Sequence, residues 1–249
     1  MSSLLPLASA PVARPSFWGP WATTGFLFLI LGGMLLVQLV TAVLWLAVAS
    51  FHSPGGGPLD QIAALQYDGD LLSVTTVAGT AAVLVLVAAL VWLRRGAPLR
   101  EYLALKPVRW KTAALWVAGT LAFLISYDLI SRVLDRPAVP DFMLQVYGSA
   151  TMLPLLWIAI VIAAPLWEEI VFRGFAFPGL RSAGLALALV VPALLWTSLH
   201  LQYDAFDMTY VFCLGLLFGL AREHTGSVVM PIVLHVFTNA LATIQVALG

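Results

Sequence analysis

The sequence predicts an all-α protein, a polytopic transmembrane helix bundle of about seven spans (six to eight) with its N-terminus in the cytoplasm. Three observations predict it. Of 249 residues, 61% are hydrophobic and 10% charged, with a mean hydropathy of +0.99; soluble domains carry about 25% charged residues. The apolar residues fall in runs of about 20, the length a helix needs to cross a bilayer. Of the twelve Lys and Arg residues, ten fall in the N-terminal tail and on one side of the runs, and two, Arg132 and Arg136, on the other. Cytoplasmic connections carry the excess of Lys and Arg, which orients the chain and places its C-terminus outside.

Residues 1–20 form a tail rich in Pro and Ser, with Arg14 as its one charge. Its Ala8-Ser9-Ala10 has no basic segment before it and reads as tail, not as a signal peptide. The first span runs from about Trp21 to Ser50, and its Gln38 suits a bond to a neighbouring helix. The connection from Phe51 to Asp70 contains Ser53-Pro54-Gly55-Gly56-Gly57-Pro58, which breaks helix, and holds Asp60, Asp68 and Asp70 without a cation. The second span runs from Leu71 to Leu93. The next connection is basic: Arg94, Arg95, Arg100, Lys106, Arg109 and Lys111 against Glu101. Its Tyr102 and Trp110 suit a strip lying on lipid headgroups. The third span, Thr112 to Leu134, carries Asp128 and Arg132 four residues apart, a pairing distance on a helix. A short loop is expected from Asp135 to Gly148. The fourth span begins near Ala150, the fifth runs from about Gly184 to Leu201, the sixth from Asp207 to Arg222, and the seventh from Ser227 to the end. Arg222-Glu223-His224 reads as a solvated turn. The organisation is a tail (1–20), three helices with the basic loop 94–111 (21–149), and four helices (150–249), all in one integrated membrane domain.

The functional signal is Trp167-Glu168-Glu169-Ile170-Val171-Phe172-Arg173, at the end of an uncharged run from Leu153. An ionised side chain at membrane depth costs at least about 2.5–3.5 kcal/mol and marks a functional site by default. Glu169 and Arg173 share a helix face and can pair. Glu168 points about 100° away with no local cation, which leaves it free for chemistry. Two more pieces lie in apolar runs: Trp196-Thr-Ser-Leu-His200 and His235-Val-Phe-Thr-Asn239. At 1.5 Å per residue, Glu168, His200, His235 and Asn239 lie about 20, 24, 12 and 18 Å from the cytoplasmic side. That convergence requires the fourth helix to continue through Gly174 to Arg181 despite Pro178. Pro165 favours a kink just before Trp167. The single Cys213 excludes an intrachain disulfide and a Cys-based zinc site. No basic run or nucleic-acid motif is present, so the expected partner at this point is the bilayer and not nucleic acid.

These pieces, in this order, resemble the CPBP family of membrane proteases: type II CAAX prenyl endopeptidases and bacterial relatives, including bacteriocin-processing and immunity proteins. The family pattern, Glu-Glu-x-x-x-Arg, Phe-x-x-x-His and His-x-x-x-Asn/Asp, appears as Glu168-Glu169-x-x-x-Arg173, Trp196-x-x-x-His200 and His235-x-x-x-Asn239, with Trp in place of Phe. The resemblance covers about residues 150–249. It implies an intramembrane endopeptidase in a bacterial inner membrane that cuts a membrane-associated or lipidated peptide. Its implied catalytic residues are Glu168, His200, His235 and Asn239, supported by Glu169, Arg173 and Trp196. Glu168 would activate water, His200 would hold the water or protonate the leaving amine, and His235 and Asn239 would stabilise the oxyanion. No cofactor is favoured. The competing form is a zinc site of Glu168, His200 and His235 with water as fourth ligand. Two other functions stay open: a non-proteolytic scaffold or self-immunity protein of the same fold, and a proton-coupled transporter, since buried Glu and His also form relays.

Overall fold

A computed structural model describes residues 17–52, 62, 63, 65–137 and 139–248. The tail through residue 16, with Arg14, and the Pro/Gly-rich stretch with Asp60 lie outside the described residues. The elements are α1 (Pro20–His52), α2 (Gly69–Arg94), α3 (Leu99–Tyr102), α4 (Trp110–Val133), α5 (Asp141–Ser149), α6 (Leu153–Arg181), α7 (Leu185–Ser198), α8 (Ala205–Thr225) and α9 (Val229–Leu248), with no strand among the described residues. Six of them, α1, α2, α4, α6, α8 and α9, are long and apolar enough to cross a membrane. Helix α7 is apolar but has 14 residues, about 21 Å of helix, short of a hydrocarbon core of about 30 Å. The bundle is therefore six spans plus a shorter helix, within the range the sequence predicts.

Helix α6 is the axis. Its most apolar window is 61% buried, against 6% for that of α4, which lies at the periphery. Asp70, in the first turn of α2, sets where α6 starts. Its Oδ1 accepts from the backbone N–H groups of Thr151 (3.0 Å) and Met152 (2.9 Å), and its Oδ2 accepts from the Thr151 hydroxyl (2.5 Å). These bonds satisfy donors that a helix start otherwise leaves open.

Helix α6 does continue to Arg181, by changing its winding around both prolines. It is π-helical over Ile158–Ala163 and Ile170–Ala176, and α-helical between and after these stretches. In π winding each N–H bonds five residues back, as Ala164 does to the Ala159 carbonyl. The next partners in that register would be Pro165 for Ile160 and Pro178 for Arg173. Proline has no N–H, so both carbonyls need other donors. Asn239 Nδ2 donates to the Ile160 carbonyl (2.9 Å) and Arg222 Nε to the Arg173 carbonyl (3.0 Å). Each proline thus ties α6 to a different helix, α9 through Asn239 and α8 through Arg222.

Four sequence expectations change. Residues 135–148 are not a bare loop: Pro140 leads into α5, with Asp141 in its first turn, where a carboxylate complements the helix dipole. Tyr102 does not lie on the headgroups. It is fully buried, stacks on Phe175 and accepts from the Trp18 backbone N–H; burial pushes its phenol up to about 12. Trp110 is 74% exposed, as a headgroup-facing side chain would be. Arg222-Glu223-His224 is no solvated turn, because α8 runs on to Thr225 and ends at Gly226 in the left-handed conformation (φ 64°), which glycine adopts without a Cβ penalty. Arg222 is buried there. Finally, α7 stops at Ser198, so His200 lies just past the helix and not on its face. Asp128 and Arg132 pair as expected, at 2.8 Å.

Candidate active site

The side chains meet where α6, α7, α8 and α9 come together, around the second α-helical stretch of α6. Glu169 and Arg173 are completely buried and pair across one turn, Nη1 to Oε1 at 3.1 Å. Arg173 also donates from Nη2 to the Gly215 carbonyl (2.8 Å). Its guanidinium carbon lies 5.2 Å from the ring centre of Trp196 and 5.8 Å from that of Phe218. Gly215 permits this approach of α8 to α7, since a Cβ there would meet the Ala193 Cβ at 3.0 Å and a Trp196 ring carbon at 3.2 Å.

His235, on α9, completes the group. Its Nδ1 lies 2.9 Å from Glu169 Oε1, and its Nε2 lies 3.8 Å from Glu168 Oε2. An ionised carboxylate only accepts, so Nδ1 carries the proton. In the tautomer protonated at Nδ1 alone, the Nε2 lone pair faces Glu168. The Trp196 indole N–H donates to Glu168 Oε2. The tryptophan that stands where the family pattern has phenylalanine is therefore a donor to Glu168, and a phenylalanine there would lack the N–H. His200 Nδ1 lies 2.9 Å from the Trp196 carbonyl. A carbonyl likewise only accepts, so Nδ1 is the donor and Nε2 stays free.

Glu168, Trp196, His200, His235 and Asn239 all line one cavity of about 980 Å³. Glu169 and Arg173 stand behind it and do not line it. One Asn239 N–H is committed to Ile160, which leaves the other for a ligand. Tyr203, which the sequence reading passed over, lines the same cavity and stacks on His200 at 5.9 Å. Burial, with Asp207 adding repulsion, pushes its phenol up to about 12. It is a protonated donor at neutral pH. Its signal in sequence was faint: a tyrosine three residues past the histidine, in a connecting turn.

Two imidazoles that donate from Nδ1 and present Nε2 have the chemistry of metal ligands. The spacing does not follow: among the described residues no three His, Cys, Asp or Glu side chains are grouped so that they could hold an ion. Glu168, His200 and His235 as placed do not form the three-ligand set.

Residues 150–241 match the family described as Type II CAAX prenyl endopeptidase Rce1-like. The matched segment spans α6 to most of α9 and contains every residue of the cluster just described. The chain is also 29% identical over 133 residues to an uncharacterized 24.3 kDa protein of Escherichia coli, a match that covers 51% of this chain and 61% of that protein. No solved structure matches the chain. The six long apolar helices make this an integral, multi-pass membrane protein, and the helices similar to the Rce1-like endopeptidases carry the buried cluster.

Proposed function

We propose that the chain is an intramembrane endopeptidase in which Glu168 activates water to cleave a peptide bond of a membrane-associated substrate. The observation that carries this reading is the approach of Glu168 Oε2 to His235 Nε2, 3.8 Å apart at the wall of a large cavity. That gap is too long for a hydrogen bond, and a water about 2.8 Å from each atom fits it as the apex of a triangle. Glu168 takes the water proton as hydroxide oxygen adds to the scissile carbonyl. The remaining Asn239 N–H and the Tyr203 hydroxyl are donors on the wall of the same cavity that serve the oxyanion. His235 Nε2 is the next acceptor for the proton held by Glu168. As imidazolium, anchored through Nδ1 to Glu169, it returns that proton to the leaving amine when the C–N bond breaks. The carboxylate–imidazole pairing of Glu169 and His235 fixes tautomer and ring orientation, as the aspartate of a Ser-His-Asp triad does.

The test is Glu168→Gln, which keeps the shape and the acceptor for Trp196 and removes the base. Membrane proteomes of wild type and variant are compared for peptide termini that disappear. Loss of a defined set of termini, with the variant folded in the membrane, supports hydrolysis. Unchanged termini together with an unchanged cellular phenotype would leave a binding scaffold as the reading. Chelation separates the two water-activating schemes: cleavage by Glu168 alone survives exhaustive chelation, whereas loss restored by stoichiometric zinc would assign the histidines to a metal.

A further inference from the structure

Among the described residues, the bundle is closed at one end and open at the other. At the end that carries the basic connection, residues 99–106 dock into the helices. Leu103 packs against Gly174, where an added Cβ would lie 3.3 Å from its Cδ2. The Ala104 carbonyl accepts from the Val228 N–H (3.0 Å), and the Lys106 carbonyl accepts from the Ser227 hydroxyl (2.5 Å). Phe17, Tyr102 and Phe175 form an aromatic seal beneath, with Phe172, Phe175 and Tyr102 fully buried. Arg181 and Glu223 clasp α6 to α8 at 2.9 Å on the same end.

The cavity occupies the opposite half. On α6 it is lined by Ile160 and Glu168 but by nothing from 170 to 181. The other helices agree: Gln38 lies in the later half of α1, Thr76 near the start of α2, Tyr127 near the end of α4 and Gln202 beyond α7. Arg136, just past α4, pairs with Asp204 and Tyr127 donates to Asp207, which puts the α7–α8 turn at the same end as the end of α4, so all of these positions lie away from the basic connection. Glu168 lies about 22 Å along α6 from Leu153 and about 20 Å from Arg181, so the carboxylate is at mid-depth and forms the floor. Helices α1 and α4 both line the cavity without an extended contact between them. Leu35 of α1 and Ile125 of α4, both lining residues, are 61% and 52% exposed. The chamber therefore has a side facing lipid as well as a mouth. Two of the ten cytoplasmic cations, Arg173 and Arg222, are buried in the protein; the eight others still outnumber Arg132 and Arg136.

We propose that the chamber is supplied from the non-cytoplasmic face, and that its substrates are membrane-embedded peptides whose cleaved segment lies in the outer leaflet. This rests on the endopeptidase reading. It selects exported or membrane-anchored peptides that descend to Glu168 from outside, with their apolar part in lipid between α1 and α4. A lipidated C-terminus presented from the cytoplasm would meet the sealed end.

Cysteine accessibility tests it in the full chain, without any need for catalysis. In a Cys213→Ala background, Thr76→Cys lies inside the chamber, about 10 Å along α2 from Gly69. Gln202→Cys lies on its exposed rim, and Arg109→Cys on the basic connection. A sulfonated, membrane-impermeant maleimide is applied to sealed right-side-out and inverted vesicles. The expected result is labelling of Thr76→Cys and Gln202→Cys to completion in right-side-out vesicles and of Arg109→Cys only in inverted ones. Labelling of Gln202→Cys only in inverted vesicles, or of Arg109→Cys from outside, would overturn the orientation. A chamber cysteine unlabelled from outside in a folded variant would overturn the open mouth. Unchanged termini in Glu168→Gln would end the endopeptidase reading but leave the labelling pattern intact. Lost termini that all map to cytoplasmic segments would refute the substrate class alone.

Discussion

Removing the guanidinium of Arg173 should damage the bundle more than removing the whole ion pair. Arg173 and Glu169 are 1% and 0% exposed, and the pair is joined at 3.1 Å. Arg173→Met keeps the unbranched stem against Trp196, Phe172 and Phe218. It leaves the Glu169 carboxylate with His235 alone and strands the Gly215 carbonyl. Glu169 Oε2 already has no hydrogen-bond partner, so the residual charge is poorly served. Breaking a buried pair by deleting one partner costs about 3–5 kcal/mol, whereas replacing both partners is often near neutral. In Glu169→Gln/Arg173→Met no charge remains, and the Gln oxygen still accepts from His235 Nδ1. The double variant should therefore recover about 1.5–3 kcal/mol relative to Arg173→Met, in the range of coupling measured for contacting residues. The assay is denaturant unfolding in mixed micelles, followed by far-UV circular dichroism, for the wild type, both single variants and the double. A double variant as unstable as the sum of the singles would refute the argument. It would mean that Glu169 is held neutral, or is solvated by water within the bundle, and that Arg173 acts through packing alone.

Three further outcomes follow from the same contacts. Trp196→Phe keeps the ring and deletes the indole N–H from Glu168; a hydrogen bond to a charged group is worth about 1.5–3 kcal/mol, so cleavage rate should fall about tenfold or more, and an unchanged rate would remove Trp196 from positioning the carboxylate. Asn239→Leu strands the Ile160 carbonyl and should cost about 1–3 kcal/mol of stability; Pro165→Ala restores an N–H nearby, and adding it should recover part of that loss in the same unfolding assay, though not activity. In the turn between α7 and α8, the hydrogen bond from Arg136 holds the Asp204 carboxyl below the usual carboxylate range. A depressed carboxyl stabilises the fold above its unfolded value of about 3.9 and loses that contribution as pH falls through the folded value. Arg136→Gln should therefore weaken the pH dependence of unfolding on the acid side, and an unaltered acid limb would show that the pair contributes nothing.

Much of the fold was legible because membrane insertion demands long apolar runs, and the six long helices sit within a few residues of where hydropathy places them. The order Glu168, His200, His235 and Asn239 was legible as well, because polar residues in such runs are few. What was not legible is how α6 continues past Pro165 and Pro178. Propensity treats a proline as the end of a helix or a kink, and single-helix reasoning cannot see that a side chain from elsewhere supplies the missing donor. Asn239 and Arg222 show the consequence. Asn239 gives one of its two N–H groups to the Ile160 carbonyl, and Arg222, expected in a solvated turn, is buried and donates to the Arg173 carbonyl. Likewise, the role of the Trp196 N–H is invisible in the sequence, because only the placement of α7 against α6 brings it to Glu168. The exposed half of α4 and the short α7 follow the same logic: hydropathy reports that a segment lies in the membrane, not what covers it. The site is thus written twice, once in residues that sequence order picks out and once in donors that become visible when the helices are packed. The second set holds Glu168 at mid-depth and turns His235 towards it.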